Sequence, residues 1–306
     1  MNWKKHGLIF EPKNQFDWIN AYAAVPTVEH MFDNTFKVYF GSRTINNFSQ
    51  TGYFTGTLVE DKFTVREISS KPILKLGPLG SFDDSMALAS CIVENDGRKY
   101  MFYTAWMQGK RTRYYPSLGL AVSKDGGDTW QKHSKVPMVA KTNEDPYGQA
   151  APYVILDNGT WRMWYSSYRR WEIRNNEPWP QYEMRYAEST DGINWQLLNK
   201  TCIGGENEEA VAIPCVIKLN SKYLMWYSYR NQNDKYLIGY AESNDGTNWD
   251  RMDNKVGIGL SKEGWDSEMI EYPHIIKHQN KWYMFYNGNT HGKTGIGLAS
   301  IDSLQY

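Results

Sequence analysis

The residues that most often announce chemistry are scarce in this chain of 306 residues. There are three cysteines, Cys91, Cys202 and Cys215, odd in number and without CxxC spacing. That excludes a disulfide framework and a zinc-ribbon site, and Cys215, inside an apolar run, reads as a small core residue. No apolar run approaches the 18 or so residues of a membrane span. Neither sign of charge is in excess: Lys+Arg and Asp+Glu both number 34. A nucleic acid or an anionic membrane as partner would call for a basic surplus. No phosphate-cradling glycine loop or dinucleotide fingerprint is present. Behind Lys4 and Lys5 the only apolar stretch is GLIF, too short for a secretory signal. The chain therefore reads as soluble and cytoplasmic.

What it has in quantity is aromatic side chains, 15% of residues with 13 Trp and 22 Tyr, and a repeat that arranges them. Five runs align: AAVPTVEH (23–30), ALASCIVE (87–94), QAAPYVIL (149–156), VAIPCVIK (211–218) and IEYPHIIK (270–277). Their fourth positions, Pro26, Ser90, Pro152, Pro214 and Pro273, are 64, 62, 62 and 59 residues apart. Roughly ten residues after each run comes a second strand-like segment (FKVYFGSR, KYMFYTAW, WRMWYSSY, KYLMWYSYR, KWYMFYNGN), and then a third. Fourth segments open at Trp130, Trp195 and Trp249, behind turns carrying Asp125, Asp191 and Asp245. Those Asp-Gly turns are hairpin signals and make turn formers of the three aspartates.

Four short strands repeated about every 60 residues is the pattern of a propeller. The fold class is all-β: a five-bladed β-propeller of four antiparallel strands per blade, in one domain spanning 1–306. Blades fall at about 17–70, 81–140, 143–203, 205–260, and 264–306 plus 1–10. The last repeat lacks a fourth strand, and the first ten residues supply it, closing the ring and covering an open edge. Most aromatics, Trp164, Trp226 and Phe285 among them, are packing between blades.

The chemistry is expected where the repeat is broken. The segments entering the innermost strands are FDDSM (82–86), EDPYG (144–148), ENEEA (206–210) and WDSEM (265–269). They bring carboxylates from four repeats to one end of the channel. Glu209 and Glu268 occupy equivalent places in adjacent repeats, and Glu271 stands where the other repeats have Ala24, Leu88, Ala150 and Ala212. The candidate catalytic acids are Glu209 and Glu268, with Asp84 or Glu271 as a third carboxylate; Glu206 and Glu208 read as solvent-facing. The second segments end beside the same rim with Arg43, Trp106, Tyr168, Arg230 and Asn289. These, with Arg169, Asp145, Asp266 and His274, are the candidate binding residues. Rings stack on sugar faces, and guanidinium forks suit a carboxylate or phosphate.

With FDDSM, ENEEAVAIPCVI, MWYSYR, IGYAESNDG and GWDSEMIEYP…FYNGN, the chain resembles the five-bladed glycoside hydrolase superfamily, which holds arabinanase- and xylosidase-like enzymes, invertases and mannoside phosphorylases. It looks closest to members associated with bacterial polysaccharide biosynthesis. The resemblance implies carboxylates from different blades cutting a glycosidic bond, one protonating the leaving oxygen and one serving as base or nucleophile. It allows a structural calcium in the channel, although the sequence shows no ligands for one, and no other cofactor is expected. The Asp-Pro pair common at an innermost strand of these hydrolases is missing, since the aligned prolines follow Val25, Ala151, Ile213 and Tyr272. The expected partner is a carbohydrate or sugar-containing small molecule. A non-catalytic sugar-binding propeller is the alternative. A sialidase-like hydrolase, resting on the single full Asp-box SKDGGDTW (123–130), is a weaker one.

Overall fold

The computed structural model describes residues 1–204, 210–230 and 235–304. Nearly all of its regular structure is strand, in one N-terminal strand and five successive groups. Strand β1 is Lys4–Phe10. The first group is β2 (Ala21–Phe32), β3 (Thr35–Arg43), β4 (Ser49–Val59) and β5 (Lys62–Ile68). The second is β6 (Met86–Asn95), β7 (Arg98–Gln108), β8 (Tyr114–Ser123) and β9 (Gln131–Lys132). The third is β10 (Gln149–Asp157), β11 (Thr160–Arg174), β12 (Glu177–Ser189) and β13 (Gln196–Ile203). The fourth is β14 (Ala210–Leu219), β15 (Lys222–Arg230), β16 (Tyr236–Ser243) and β17 (Asp250–Arg251). The last has β18 (Glu271–His278), β19 (Lys281–Asn287) and β20 (Ile296–Ile301).

Within each group the strands pair antiparallel in chain order, and a short parallel bridge, Ser49↔Met86 and Gln50↔Ala87, joins the first two groups into one eight-stranded sheet. β1 pairs antiparallel with β20, Lys4 opposite Ser300, as the outer strand of the last sheet. The first strand of each group touches the first strand of the next, and β18 touches β2.

The five aligned runs are these first strands, and each has a bulge at its middle. Where the fourth position is proline, the residue before it is left-handed: Val25 (φ 56), Ala151 (φ 53), Ile213 (φ 51) and Tyr272 (φ 56). Such a conformation is costly for β-branched Val and Ile, so something outside the strand must hold it. The holding groups come from the preceding group's second strand. Thr104 Oγ1 accepts from Ala151 N–H at 2.8 Å, Ser228 Oγ from Tyr272 N–H at 2.8 Å, and Asn287 Oδ1 from Val25 N–H at 2.9 Å. In the first group the equivalent residue is Gly41, because a Cβ there would lie 2.1 Å from Leu88 Cδ1. Thr51 Oγ1, one strand further out, takes its place and accepts from Ala89 N–H at 2.9 Å.

Between the groups lie the aromatics. Trp164, Trp226 and Phe285 are fully buried, and burying a ring of that size contributes about 1.5–3 kcal/mol. Trp3 packs edge-on against Trp226 at 6.2 Å, fastening the N-terminal segment. Asp125, Asp191 and Asp245 form hairpin turns, as their Asp-Gly context predicts; Asp191, for instance, accepts from Ile193 and Asn194 N–H at 2.8 Å.

Candidate active site

In the first, second and fourth groups the C-terminal end of the second strand pairs with the start of the first, as in Ala21↔Arg43, Met86↔Trp106 and Ala210↔Arg230, and in the third Gln149 pairs with Ser167 midway along β11. This brings both sets of residues to one end of the first strands. There they enclose a cavity of about 260 Å³ to which all five groups contribute. Its inner wall is small because the positions around the bulges are small: Ala24, Ser90, Ala150 and Ala212. The rim carries aromatic and cationic groups.

Arg43 lies over the Tyr22 ring at 4.1 Å and donates to Asn47 Oδ1 at 3.1 Å. Trp106 stacks on Tyr114 at 4.3 Å, and the Tyr114 and Tyr168 hydroxyls are 3.3 Å apart. Arg230, buried, donates to Tyr236 Oη at 3.2 Å and to the Pro180 carbonyl at 2.9 Å, and Tyr236 is hydrogen-bonded to Tyr182. Past a register shift at Tyr168, the β11–β12 hairpin continues outward through Glu172↔Trp179. Its Trp179 ring has two guanidinium neighbours, Arg113 at 4.2 Å and Arg230 at 4.9 Å, each a cation–π contact. His291 completes the wall from the last group.

Of the residues expected from sequence, Arg43, Trp106, Tyr168 and Arg230 line this cavity. Glu271 stands directly behind it: fully buried, its Oε2 is 3.3 Å from His291 Nδ1. Burial pushes its carboxyl above the usual range, opposed by His291 and Tyr272. Glu209 lies outside the described residues.

The structure places the other expected residues away from this cavity. Glu268 does not line the cavity; its side chain is 66% exposed and 3.2 Å from Lys235 Nζ. Asn289 clamps that loop, accepting from the N–H of Glu268 and Met269 at 2.8 and 3.0 Å. Asp84 caps a turn, accepting from Gly80 N–H at 2.8 Å and Ser85 Oγ at 2.7 Å. Asp145 and Asp266 belong to a structural latch repeated between groups, a buried carboxylate held by a second-strand tyrosine and a cation. Asp145 accepts from Tyr165 at 2.8 Å, from Ser167, and from Arg185 at 3.0 Å. Asp266 accepts from Tyr286 at 2.8 Å and Lys5 at 2.6 Å, and Asp83 is held likewise by Tyr103 and Lys132. Arg169 pairs with Glu183 at 3.5 Å, away from the cavity. His274 lies past the bulge in the core, its ring 6.3 Å from Tyr153, and burial holds its pKa down to about 4.

Sequence reasoning missed Tyr22, Arg113, Trp179, Tyr236, Tyr272 and His291. One signal was available: WEIRNNEPWPQY (171–182) lengthens the third repeat between its second and third strands, and the extra length carries Trp179. Among the described residues no three His, Cys, Asp or Glu side chains gather as metal ligands would. Calcium wants six to eight oxygens, and those lining the cavity include no carboxylate. The described residues therefore do not fit a channel calcium.

The fold so assembled is that of the β-propeller glycoside hydrolases and phosphorylases. A solved glycoside hydrolase superposes with a TM-score of 0.77 over 98% of this chain and 92% of its own, at 16% identity. The beta-1,2-mannobiose phosphorylase from Listeria innocua, solved as a complex with beta-1,2-mannobiose, gives 0.71 over 99% and 97% at 12% identity. In sequence the chain is 34% identical over 305 residues to the Mycobacterium tuberculosis (strain CDC 1551 / Oshkosh) protein named "Uncharacterized protein MT1551", covering 99% of this chain and 100% of that one, and it belongs to the same family. A 1,2-beta-oligomannan phosphorylase from Thermoanaerobacter sp. (strain X514) is 24% identical over 227 residues, 73% of this chain and 71% of its own. No protein-family model matches the chain. No helix among the described residues is long and apolar enough to cross a membrane.

Proposed function

We propose that the five strand groups are the blades of a closed five-bladed propeller, and that the central cavity binds a glycoside and cleaves it. The observation that carries this reading is the cavity itself. All five groups converge on it, aromatic rings line it, and Arg43, Arg113 and Arg230 reach it from three of them. Flat rings and forked donors are the complement of a sugar, and three guanidiniums favour an anionic group on the substrate or a phosphate co-substrate. The activities of the mannoside phosphorylases that the chain resembles support the class of chemistry. Glu209 is the proposed acid; its chain neighbour Ala210 pairs with Arg230 at the cavity wall. The setting proposed is cytoplasmic processing of a bacterial glycan, glycan precursor or nucleotide sugar.

A non-catalytic sugar-binding role is favoured by one observation, that the described residues lining the cavity include no Asp or Glu. Incubation with beta-1,2-mannobiose and with 4-nitrophenyl β-D-mannopyranoside, each with and without phosphate, separates the two. Release of mannose, nitrophenol or mannose 1-phosphate, lost in Glu209→Gln, supports the enzyme. Saturable binding without product makes the protein a sugar-binding module. Neither binding nor turnover refutes both for mannosides.

A further inference from the structure

Glu271 and His291 form a unit that the sugar-binding wall by itself does not account for. Glu271 opens β18 at 0% exposure where the equivalent strands carry apolar residues, and its Oε1 has no hydrogen-bond partner among the described residues. Its Oε2 meets His291 Nδ1 at 3.3 Å, and the Tyr272 hydroxyl is 3.4 Å from the same nitrogen. The imidazole itself is 44% exposed and lines the cavity. Its backbone is forced. Thr290 and His291 are both left-handed (φ 60 and 56), as is Tyr272 (φ 56). Such a conformation is unfavourable for a residue with a side chain and persists only where the surroundings impose it. Gly292 beside them is left-handed too (φ 83), and a Cβ there would meet Asn287 Nδ2 at 2.9 Å.

A buried carboxylate against one ring nitrogen selects the tautomer that donates to it. Nδ1 then holds the proton and Nε2, on the other side of the ring, holds a lone pair. We propose that His291 is the general base of this cavity and Glu271 the positioning residue that fixes its tautomer. This rests on the reading of the cavity as a glycoside site. In hydrolysis, Nε2 takes a proton from the water whose oxygen bonds to the anomeric carbon. The glycosidic C–O bond breaks with its electron pair on the leaving oxygen, which is protonated by a separate carboxylic acid. His291 afterwards returns its proton to solvent, and the acid is reprotonated from it. The ionisable groups facing the ring are Glu271 and Tyr272 on β18 and Tyr236 on β16, whose ring is edge-on at 5.7 Å; Tyr22, Arg43 and Arg230 share the cavity wall.

The test uses the whole protein with 15N-labelled histidine, the His291 signals being identified by their loss in His291→Asn. At a pH where the ring is neutral, the nitrogen shifts should report the Nδ1–H tautomer, and Glu271→Gln should move the population toward Nε2–H. An Nε2–H ring in the wild type, or one indifferent to Glu271→Gln, overturns the proposal. With 4-nitrophenyl β-D-mannopyranoside, His291→Asn should lower kcat about 100-fold or more, with KM little changed and the acid limb of the pH profile removed. Wild-type turnover that His291→Asn leaves intact refutes the base role alone. No turnover by the folded wild type refutes the glycosidase reading for β-mannosides and the base role on them.

Discussion

Asn287 is the place where the last strand group grips the first, and removing its side chain tests how the molecule is held together. Its amide is fully buried. It accepts from Val25 N–H at 2.9 Å and donates to the carbonyls of Ala23 at 2.6 Å and Gly295 at 2.7 Å. Asn287→Ala breaks all three bonds and leaves three backbone groups without partners in a dry site. A hydrogen bond is worth a net of about 1 kcal/mol, and a stranded buried polar group costs about 1–3 kcal/mol. With some relaxation the sum is a loss of about 3–5 kcal/mol, well beyond an ordinary substitution. It should appear in urea denaturation as a lower midpoint at unchanged slope. Asn287→Ser gives an internal comparison. In the fourth group a serine at the equivalent place, Ser228, bonds the next left-handed N–H at 2.8 Å, so this variant should recover the Val25 bond but not the carbonyl bonds and fall between the two. A loss below about 1 kcal/mol for Asn287→Ala would refute the clasp.

Further outcomes follow from the other buried groups. Asp145→Asn, which weakens a latch at 0% exposure while Arg185 keeps Glu183 at 2.9 Å, should cost about 1–3 kcal/mol in thermal or urea unfolding, with turnover per folded molecule unchanged. His274 is depressed to about 4 from an ordinary 6.5. As pH falls the unfolded chain takes up that proton first, so the stability His274 contributes is whole above about 6.5 and lost by about 4. The total is roughly 3 kcal/mol, and His274→Asn should remove that share of the slope. Arg43→Ala should weaken binding of an anionic or mannosyl ligand by tenfold or more in titration calorimetry, with little change in unfolding midpoint, since Arg43 is half-exposed.

The candidate site was legible where it followed the repeat. Arg43, Trp106 and Arg230 lie at or near the ends of second strands in register with the first strands, Tyr168 follows the last such pair in the third group, and register carries them to the cavity. The entry segments misled because a carboxylate at a channel mouth reads the same whether it faces substrate or a neighbouring tyrosine. Asp145 and Asp266 have tyrosines and cations from 20 or more residues away in the chain as partners. Asn289 and Glu268 were put at the rim by alignment, but the loop after β19 turns left-handed and sends His291 to the cavity instead.

By itself the sequence determined the strands, their grouping in fours, the Asp-Gly turns, and the packing role of the rings. These depend on local propensity, alternation and periodicity, which repeat every 60 residues or so and are local in the chain. Tertiary structure decided which acids are latches, which hydroxyl holds which bulge, and that Glu271 meets His291 rather than solvent. The cavity exists only where five distant segments meet. Its chemistry is set by pairs such as Asn287 with Val25 and Glu271 with His291, and no local pattern encodes a contact between groups that lie so far apart in the chain.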